Sequence, residues 1–206
     1  VALMQGSLGD AGKKIVVEDY LRGTEISILA AVSVTPQSAA AHTACILPFL
    51  PARDHKRLGD GARGPNTGGM GAICPVDDVT PLIQSQFEKT ILQPTLSGLV
   101  AEGMDYRGFL FFGLMLTPEG PKCLEYNVRL GDPETQAVLP LMASDFASLC
   151  TAIADGTLSS YSLEWKKGYV VAPVAVSGGY AAAYKRGKAI SIDAAALAAS
   201  GAKLFM

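Results

Sequence analysis

A run of alternating polar residues, Glu125, Asn127 and Arg129, has the strongest chemical potential in the sequence. If the run lies in a β-strand, side chains two residues apart project from the same face, so these three lie side by side. A carboxylate beside a carboxamide offers the hard oxygen ligands that Mg²⁺ accepts together with water and substrate phosphates. Arg129 could bind a phosphate or a carboxylate through its planar guanidinium. The same short pattern also suits an exposed Glu–Arg pair with an ordinary turn asparagine, and the residues alone leave both interpretations open.

A glycine-rich segment, residues 64–71 (GPNTGGMG), follows a charged cluster at residues 54–57 (DHKR). Glycine lets backbone N–H groups approach an anion closely, and Lys56 and Arg57 add positive charge beside them. The spacing does not match the G-x-x-x-x-G-K-[ST] pattern of a Walker loop. An anion-binding loop and a plain flexible loop are both compatible with this segment.

A third candidate, residues 16–21 (VVEDYL), leads from apolar residues into a polar stretch and precedes Glu25. The backbone of such a hinge can offer a donor and an acceptor to the edge of an adenine ring, and a carboxylate further on can accept ribose hydroxyls. Taken alone, the segment is also what an ordinary hairpin would look like.

Strand patterns surround these candidates. Residues 14–20 (KIVVEDY) and 25–34 (EISILAAVSV) predict two strands that pair with each other. Residues 108–116 and 122–128 predict an antiparallel hairpin, because the Thr-Pro-Glu-Gly sequence between them suits a tight turn. Residues 54–71 carry no apolar period and predict a long loop, of a length that is commonly functional.

Helical patterns fill much of the remaining sequence. Residues 80–103 predict a helix with Thr80 as its N-cap, Pro81 at its first position and apolar residues along one face. Pro94 lies inside this helix and predicts a kink or a break. Further helix is expected within residues 133–156.

Composition excludes several classes of function. Lys and Arg total 17 against 19 for Asp and Glu, so the chain lacks the basic excess of a nucleic-acid-binding protein. Charges or prolines interrupt every apolar stretch before about 18 residues accumulate, so no membrane span is expected. The widely spaced cysteines predict reduced thiols and a cytoplasmic location. They are Cys45, Cys74, Cys123 and Cys150.

Together these segments resemble the glycinamide ribonucleotide synthetase family of the ATP-grasp superfamily. The family's motifs occur in order as DHKR, GPNTGGMGA, YRGFLFFGLM, EYNVRLGDPETQ and GGY, over nearly the whole chain. The resemblance implies an α+β fold, with an ATP-grasp core in which an antiparallel sheet is flanked by helices, over residues 1–158. Residues 159–206, which include a predicted strand at 169–176, would begin a small β-rich C-terminal subdomain.

The resemblance implies an enzyme that ligates glycine to 5-phosphoribosylamine through a glycyl phosphate. The products would be glycinamide ribonucleotide, ADP and phosphate, in de novo purine biosynthesis. ATP and Mg²⁺ (or Mn²⁺) would be needed, and fusion to or association with other purine-pathway enzymes is compatible with the family. Two alternatives stay open: another ATP-grasp carboxylate–amine ligase, and a non-catalytic nucleotide-binding module.

Roles for individual residues follow from the same resemblance. The metal ligands would be Glu125 and Asn127. The nucleotide would be bound by Glu18, Asp19, Tyr20, Leu21 and Glu25. The acceptor and phosphate site would comprise Asp54, Lys56, Pro65, Asn66, Thr67, Gly68, Gly69, Met70, Gly71, Arg129 and Asp132. Among these, Asp54, Lys56 and Arg129 are the expected catalytic residues.

The sequence also departs from the family. Family members begin with an open α/β domain and a small lobe that covers the ATP phosphates, and neither precedes Val1. The C-terminal strands also look cut short at Met206. Because half of the family's phosphate-binding site would be missing, the resemblance predicts a fragment that is inactive alone. Arg53 replaces the usual Gln before DHKR, which predicts a perturbed acceptor site. Three alanines, residues 181–183, replace Pro-Gly-Asp after GGY, away from the proposed chemistry.

Overall fold

The long apolar run predicted as the second strand forms β1, Thr24–Val34, at the centre of the protein. The computed structural model describes residue 9 and residues 16–206. β1 pairs antiparallel with β7 (Tyr106–Thr117) along its whole length. The sheet has the order β2-β1-β7-β8, with β2 at Cys45–Pro48 and β8 at Gly120–Asn127. The predicted hairpin of β7 and β8 is confirmed.

The strand predicted over residues 14–20 is wrong for the part that the structure describes. Residues 16–20 are irregular and exposed, and the side chains of Val16 and Val17 are both 86% exposed. Residues 14 and 15 lie outside the described residues. The predicted pairing with β1 is also wrong, because β2 and β7 occupy the two edges of β1. Isoleucine and valine favour strands only where a half-buried sheet surface receives them.

The helix predicted after Thr80 is confirmed, with an interruption near its middle. Thr80 caps α2 (Pro81–Phe87) through its side chain. A π-helical segment, Glu88–Leu92, separates α2 from α3 (Gln93–Ala101), and Pro94 stands in the first turn of α3. Proline lacks the N–H that regular helical bonding requires, which accounts for the break.

The predicted helical region after residue 133 is made of short pieces. Asp145 caps the longest helix there, α5, and Gly156 ends it in the left-handed conformation that glycine favours. This helix, α5, spans Phe146–Asp155. The other helices are α1 (Pro36–Ala40), α4 (Glu134–Val138) and α6 (Ala194–Ser200). Two 3-10 turns lie at Leu139–Leu141 and Leu158–Ser160.

Two small sheets replace the long loop predicted over residues 54–71. The loop prediction was wrong in part, because backbone pairing forms a hairpin there without any apolar alternation to signal it. The hairpin consists of β4 (Arg57–Gly59) and β5 (Arg63–Asn66). A three-stranded sheet has the order β3-β6-β9, with β3 at Arg53–Asp54, β6 at Gly71–Cys74 and β9 at Val170–Pro173.

The two faces of the central sheet are buried in different cores, because side chains alternate along each strand. Ile28 and Phe112 lie on the face that packs against Phe87 of α2. Leu29 and Phe111 lie on the opposite face, with residues of β6, α4 and α5. This second face continues towards the polar residues of the candidate site. Within residue 9 and residues 16–206, no helix has the length and apolar character needed to cross a membrane.

Candidate functional site

A cavity of about 160 Å³ lies between the central sheet and the chain that follows β3. Phe111 and Gly113 contribute to its apolar lining. Two backbone hydrogen bonds between Ser27 and Ala52, each of 2.8 Å, tie the approach to β3 onto β1. The polar residues that line the cavity are Glu25, Ser27, Asp54, Lys56 and Glu125. The polar residues therefore come from three separate segments of the sequence, and β7 adds a fourth segment to the lining.

Glu125 enters the cavity over a glycine. In the register of β7 and β8, Glu125 lies opposite Gly113, and an irregularity follows at Leu114. A Cβ at Gly113 would stand 2.9 Å from Cγ of Glu125, too close for an ordinary carbon contact. Gly113 thus leaves the space in which the Glu125 side chain lies.

Asn127 and Arg129 lie further along the same chain segment. Asn127 is opposite Phe111, which itself lines the cavity. The Arg129 guanidinium lies 5.9 Å from the centre of the Phe111 ring and donates a 3.0 Å hydrogen bond to the carbonyl of Leu130. Asn127 and Arg129 are thus near the cavity but outside its immediate lining, whereas Glu125 is part of it.

Lys56 and Glu25 form an ion pair on the other side of the cavity. Lys56 Nζ donates a 2.7 Å hydrogen bond to Glu25 Oε2, and both side chains are partly exposed. Burial acts to lower the pKa of Lys56, but Glu25, Glu125 and Asp54 outweigh it and raise that pKa. Lys56 therefore holds a positive charge among three carboxylates.

Asp54 lies beneath the glycine-rich loop. Its Oδ1 is buried and has no hydrogen-bond partner among the residues that the structure describes. A Cβ at Gly69 would be 2.8 Å from this oxygen and 2.6 Å from Cδ of Pro133, and the φ of Gly69 is +120°, so only glycine fits there. Burial and, after it, the neighbouring Glu134 carboxylate raise the pKa of Asp54, which stands at about 7.

The glycine-rich loop is held against residues 55 and 56 by its own backbone. Thr67 N–H donates to the carbonyl of Lys56 over 2.8 Å, and Met70 N–H donates to the carbonyl of His55 over 2.9 Å. Gly69 N–H donates to the Thr67 hydroxyl over 3.0 Å. These N–H groups, which were expected to face an anion, are engaged within the protein in this conformation.

Tyr180 holds the same loop from the C-terminal side. Its hydroxyl accepts a 3.2 Å hydrogen bond from Gly68 N–H. Val174 N–H, just after β9, donates to the carbonyl of Met70 over 3.0 Å. Two of the sequence motifs, the glycine-rich loop and GGY, are therefore in direct contact.

Several predicted site residues lie elsewhere. None of Glu18, Asp19, Tyr20 and Leu21 lines the cavity. Asp132 is exposed and accepts a 2.6 Å hydrogen bond from Gln136. Pro65 and Asn66 are exposed in β5, whereas Gly71 begins β6, where a Cβ would be 2.7 Å from the carbonyl oxygen of Ala172.

The Arg53 side chain lies outside the cavity that its neighbour Asp54 lines. Its guanidinium forms an ion pair with Asp78, and Arg53 is absent from the cavity lining. Successive residues of a strand face opposite sides, which accounts for the separation. The structure gives no direct route by which Arg53 would perturb this cavity.

No site role was assigned to Ser27, Glu134 or Tyr180 from the sequence. The Ser27 hydroxyl donates a 2.8 Å hydrogen bond to Glu134 Oε1, and both residues are buried. Ser27 stands two residues after Glu25, on the same face of β1, which was an available signal. Glu134 and Tyr180 end the GDPE and GGY motifs, but their contacts are long-range in sequence.

The donors present fit a cation that shares its ligands with phosphates. Among the described residues, no group of three or more His, Cys, Asp or Glu side chains could hold a metal alone. Glu125 supplies a carboxylate at the cavity, and Asn127 supplies an amide oxygen two residues later. Mg²⁺ is typically bound by one or two carboxylates with water and substrate phosphates, so a sparse oxygen set is suited to it.

The family model and the similar proteins identify the same family. A family model described as phosphoribosylglycinamide synthetase, ATP-grasp (A) domain, matches residues 2–135. The phosphoribosylamine–glycine ligase of Clostridium acetobutylicum is 50% identical over 181 residues, which are 88% of this chain and 41% of that protein. The bifunctional purine biosynthetic protein ADE1 of Schizosaccharomyces pombe is 44% identical over 192 residues, 93% of this chain and 23% of that protein. The chain thus spans less than half the length of these relatives.

Solved structures agree on the fold. The crystal structure of phosphoribosylamine–glycine ligase from Thermotoga maritima superposes with a TM-score of 0.74 at 36% identity, over 94% of this chain and 46% of that chain. The biotin carboxylase domain of a thermophilic 2-oxoglutarate carboxylase gives a TM-score of 0.53 at 14% identity, over 82% of this chain and 34% of that chain. The second likeness concerns the fold alone. The family model and the Thermotoga maritima structure confirm the predicted α+β ATP-grasp architecture.

Proposed function

The chain belongs to the phosphoribosylglycinamide synthetase ATP-grasp family, and from that premise we propose that it forms the metal and acceptor part of a glycine ligase. The proposed reaction joins glycine to 5-phosphoribosylamine and converts ATP to ADP and phosphate. The observation that carries the proposal is the convergence of Glu25, Asp54, Lys56 and Glu125 on one cavity. Asp54, Lys56 and Glu125 come from the family's motifs, and with Glu25 they bring together the charges that phosphoryl transfer requires.

In the proposed reaction, ATP phosphorylates the carboxylate of glycine, and the amine of phosphoribosylamine then displaces phosphate from the glycyl phosphate. The chain's main contribution is to position the reactants and to stabilise the charge on the phosphoryl group. Lys56 and Arg129 provide the positive charge. Arg129 lies against the Phe111 ring, which limits the directions its guanidinium can take.

Glu125 and Asn127 would hold the divalent metal that the family uses, Mg²⁺ or Mn²⁺. When bound, the metal would neutralise part of the phosphate charge. The empty space above Gly113 allows the Glu125 side chain to lie in the cavity, and Asn127 lies on the same side of β8. The two ligands are therefore set by one strand.

The nucleotide would lie along β1 and the segment before it. Backbone groups of residues 18–21 would meet the adenine ring, and Glu25 would accept hydrogen bonds from the ribose. Among the residues that the structure describes, Lys56 bonds to Oε2 of Glu25, and Oε1 would accept from a ribose hydroxyl. Glu25 would then join the nucleotide to the catalytic lysine.

Residues 64–71 and Asp132 would bind the acceptor, and residues 159–206 would begin the C-terminal subdomain. Tyr180 and Val174 connect these two parts through the hydrogen bonds to Gly68 and Met70. We also propose a cytoplasmic location, where thiols stay reduced. The bifunctional yeast relative supports association with other purine-pathway activities.

The proposal is tested by measuring ADP formation with glycine and phosphoribosylamine omitted in turn. Because the chain spans less than half of its relatives, the assay uses the full-length protein in which these residues occur. ADP that forms only when both substrates are present is the expected result. ADP that requires a different acid or amine would indicate another carboxylate–amine ligase, and no turnover with any such pair would indicate a non-catalytic module.

Tyr180→Phe is expected to weaken acceptor binding in the full-length protein. The change removes the hydrogen bond to Gly68 N–H, and a typical net hydrogen bond contributes about 0.5–1.5 kcal/mol. We expect the KM for phosphoribosylamine to rise about two- to tenfold while kcat stays close to its original value. Steady-state kinetics measures both, and Tyr184→Phe, the neighbouring ring, serves as the control. A fall in kcat at unchanged KM would contradict this role.

A further inference from the structure

Asp54, Glu134 and Ser27 form a polar cluster beside the cavity, in which Ser27 and Glu134 are buried and Asp54 is partly buried. Ser27 and Glu134 are 5% and 4% exposed, and the Ser27 hydroxyl donates to Glu134 Oε1. Glu134 begins α4, whereas Asp54 ends β3, so two elements bring the two carboxylates near each other. A Cβ at Gly131 would lie only 2.4 Å from Glu134 Oε2, so the second oxygen is closely confined as well.

The surroundings of Asp54 differ from those of the other carboxylates in the cavity. Glu25 is paired with Lys56, whereas Asp54 Oδ1 is buried and finds no hydrogen-bond donor among the described residues. A buried acceptor without a donor is costly for a charged carboxylate and is relieved when the group takes up a proton. Asp54, which lines the cavity, is therefore suited to accept a proton.

We propose that Asp54 is the general base that takes a proton from the attacking amine, and that Glu134, fixed by Ser27, is the positioning residue that sets its basicity. The inference rests on the proposed function and adds a catalytic step to it. It assigns to Asp54 a role distinct from those of the charged residues that bind phosphate.

The step can be written with its atoms balanced. The lone pair of the phosphoribosylamine nitrogen forms a bond to the carbonyl carbon of glycyl phosphate. The bond from that carbon to the phosphate oxygen breaks, and its electron pair leaves with inorganic phosphate. One N–H proton passes to the Asp54 carboxylate and is later released to solvent, so no further reactant is needed.

The charges around Asp54 support this role. Burial, Glu134 and Glu25 raise the pKa of Asp54, whereas Lys56 and the backbone N–H of His55 lower it, and the net pKa is about 7. A base is most effective when its pKa lies near the working pH, because it is then both deprotonated and able to hold a proton. Glu125, across the cavity, acts on Lys56 rather than directly on Asp54.

The test compares two acceptors in full-length protein that carries Asp54→Asn. Hydroxylamine is largely unprotonated at neutral pH and reacts readily with acyl phosphates, so it can trap glycyl phosphate as glycine hydroxamate without a base. With phosphoribosylamine we expect a loss of about a hundredfold or more, the range typical of a missing general base. With hydroxylamine we expect hydroxamate formation close to that of the original protein.

The outcomes distinguish a failure of the Asp54 inference from a failure of the proposed ligase function. An equal loss with both acceptors would show that Asp54 serves glycine activation or folding, and would overturn the inference while leaving the ligase assignment intact. No glycine-dependent hydroxamate from the unsubstituted protein would overturn the proposed function, and the inference with it. Glu102→Gln, an exposed position at the end of α3, controls for the loss of a carboxylate elsewhere.

A second variant, Glu134→Gln, tests the positioning role through the pH profile. Glutamine keeps an oxygen for the Ser27 hydroxyl but removes the charge that raises the pKa of Asp54. A base works when deprotonated, so kcat/KM rises with pH through its pKa, and a lower pKa moves this acidic limb to lower pH. We expect that displacement in Glu134→Gln. A uniform fall at every pH, with the limb in place, would show a merely structural role.

Discussion

Glu125→Gln is expected to lower kcat/KM of the full-length ligase by about a thousandfold or more. The reason is that a metal held at a phosphoryl group contributes several kcal/mol of charge stabilisation, and each 1.4 kcal/mol changes the rate about tenfold. Glutamine keeps the size of the side chain above Gly113 but removes its negative charge. The measurement is ADP formation with ATP varied at saturating glycine and phosphoribosylamine, at several concentrations of Mg²⁺.

The Mg²⁺ dependence distinguishes a lost ligand from a general defect. A lost ligand raises the Mg²⁺ concentration needed for half-maximal rate as well as lowering the rate itself. Glu102→Gln, which is exposed and does not line the cavity, is expected to retain normal Mg²⁺ dependence. Unchanged turnover and Mg²⁺ dependence in Glu125→Gln would remove Glu125 from the metal site.

Phe112→Ala is expected to reduce the free energy of unfolding by about 3–5 kcal/mol, the range measured when buried aromatic residues are truncated. Phe112 is fully buried in β7, and its ring lies 5.4 Å from those of both Phe87 and Tyr126. Its loss opens a cavity between the sheet and α2. The measurement is equilibrium unfolding in urea, followed by circular dichroism and tryptophan fluorescence.

The matched control for this variant is Leu82→Ala. Leu82 belongs to α2 but is 68% exposed, so its truncation is expected to change stability by no more than about 0.5 kcal/mol. A loss in Phe112→Ala as small as that of the control would show that the sheet and α2 are not packed as described.

The central elements could be predicted because their sequences carry strong local signals. β1 is a long run of apolar residues whose alternate members fill two cores, and Thr80 caps a helix in the expected way. The turn at Thr-Pro-Glu-Gly fixed the hairpin that carries Glu125. Local chemistry was sufficient at these places, since each pattern had a single favourable structure.

Local chemistry was insufficient where distant segments meet. The hydrogen bond from Ser27 to Glu134 joins residues 107 positions apart, and that from Gly68 to Tyr180 joins residues 112 apart. No period or motif in the sequence specifies such contacts. For the strand predicted at residues 14–20, the local signal was present but the tertiary partner was not. Strand-forming residues need a free sheet edge to pair with, and both edges of β1 are already paired.

The proposed ligase reaction is tested most directly by following oxygen from glycine into phosphate. Full-length protein would be supplied with glycine labelled with ¹⁸O in its carboxylate, together with ATP, Mg²⁺ and phosphoribosylamine, and the inorganic phosphate analysed by mass spectrometry. The account predicts one ¹⁸O atom in each phosphate released, because the carboxylate oxygen carries the phosphoryl group away when the amide forms. Phosphate without ¹⁸O, formed alongside ADP, would show transfer to water or another acceptor and would contradict the proposed ligase.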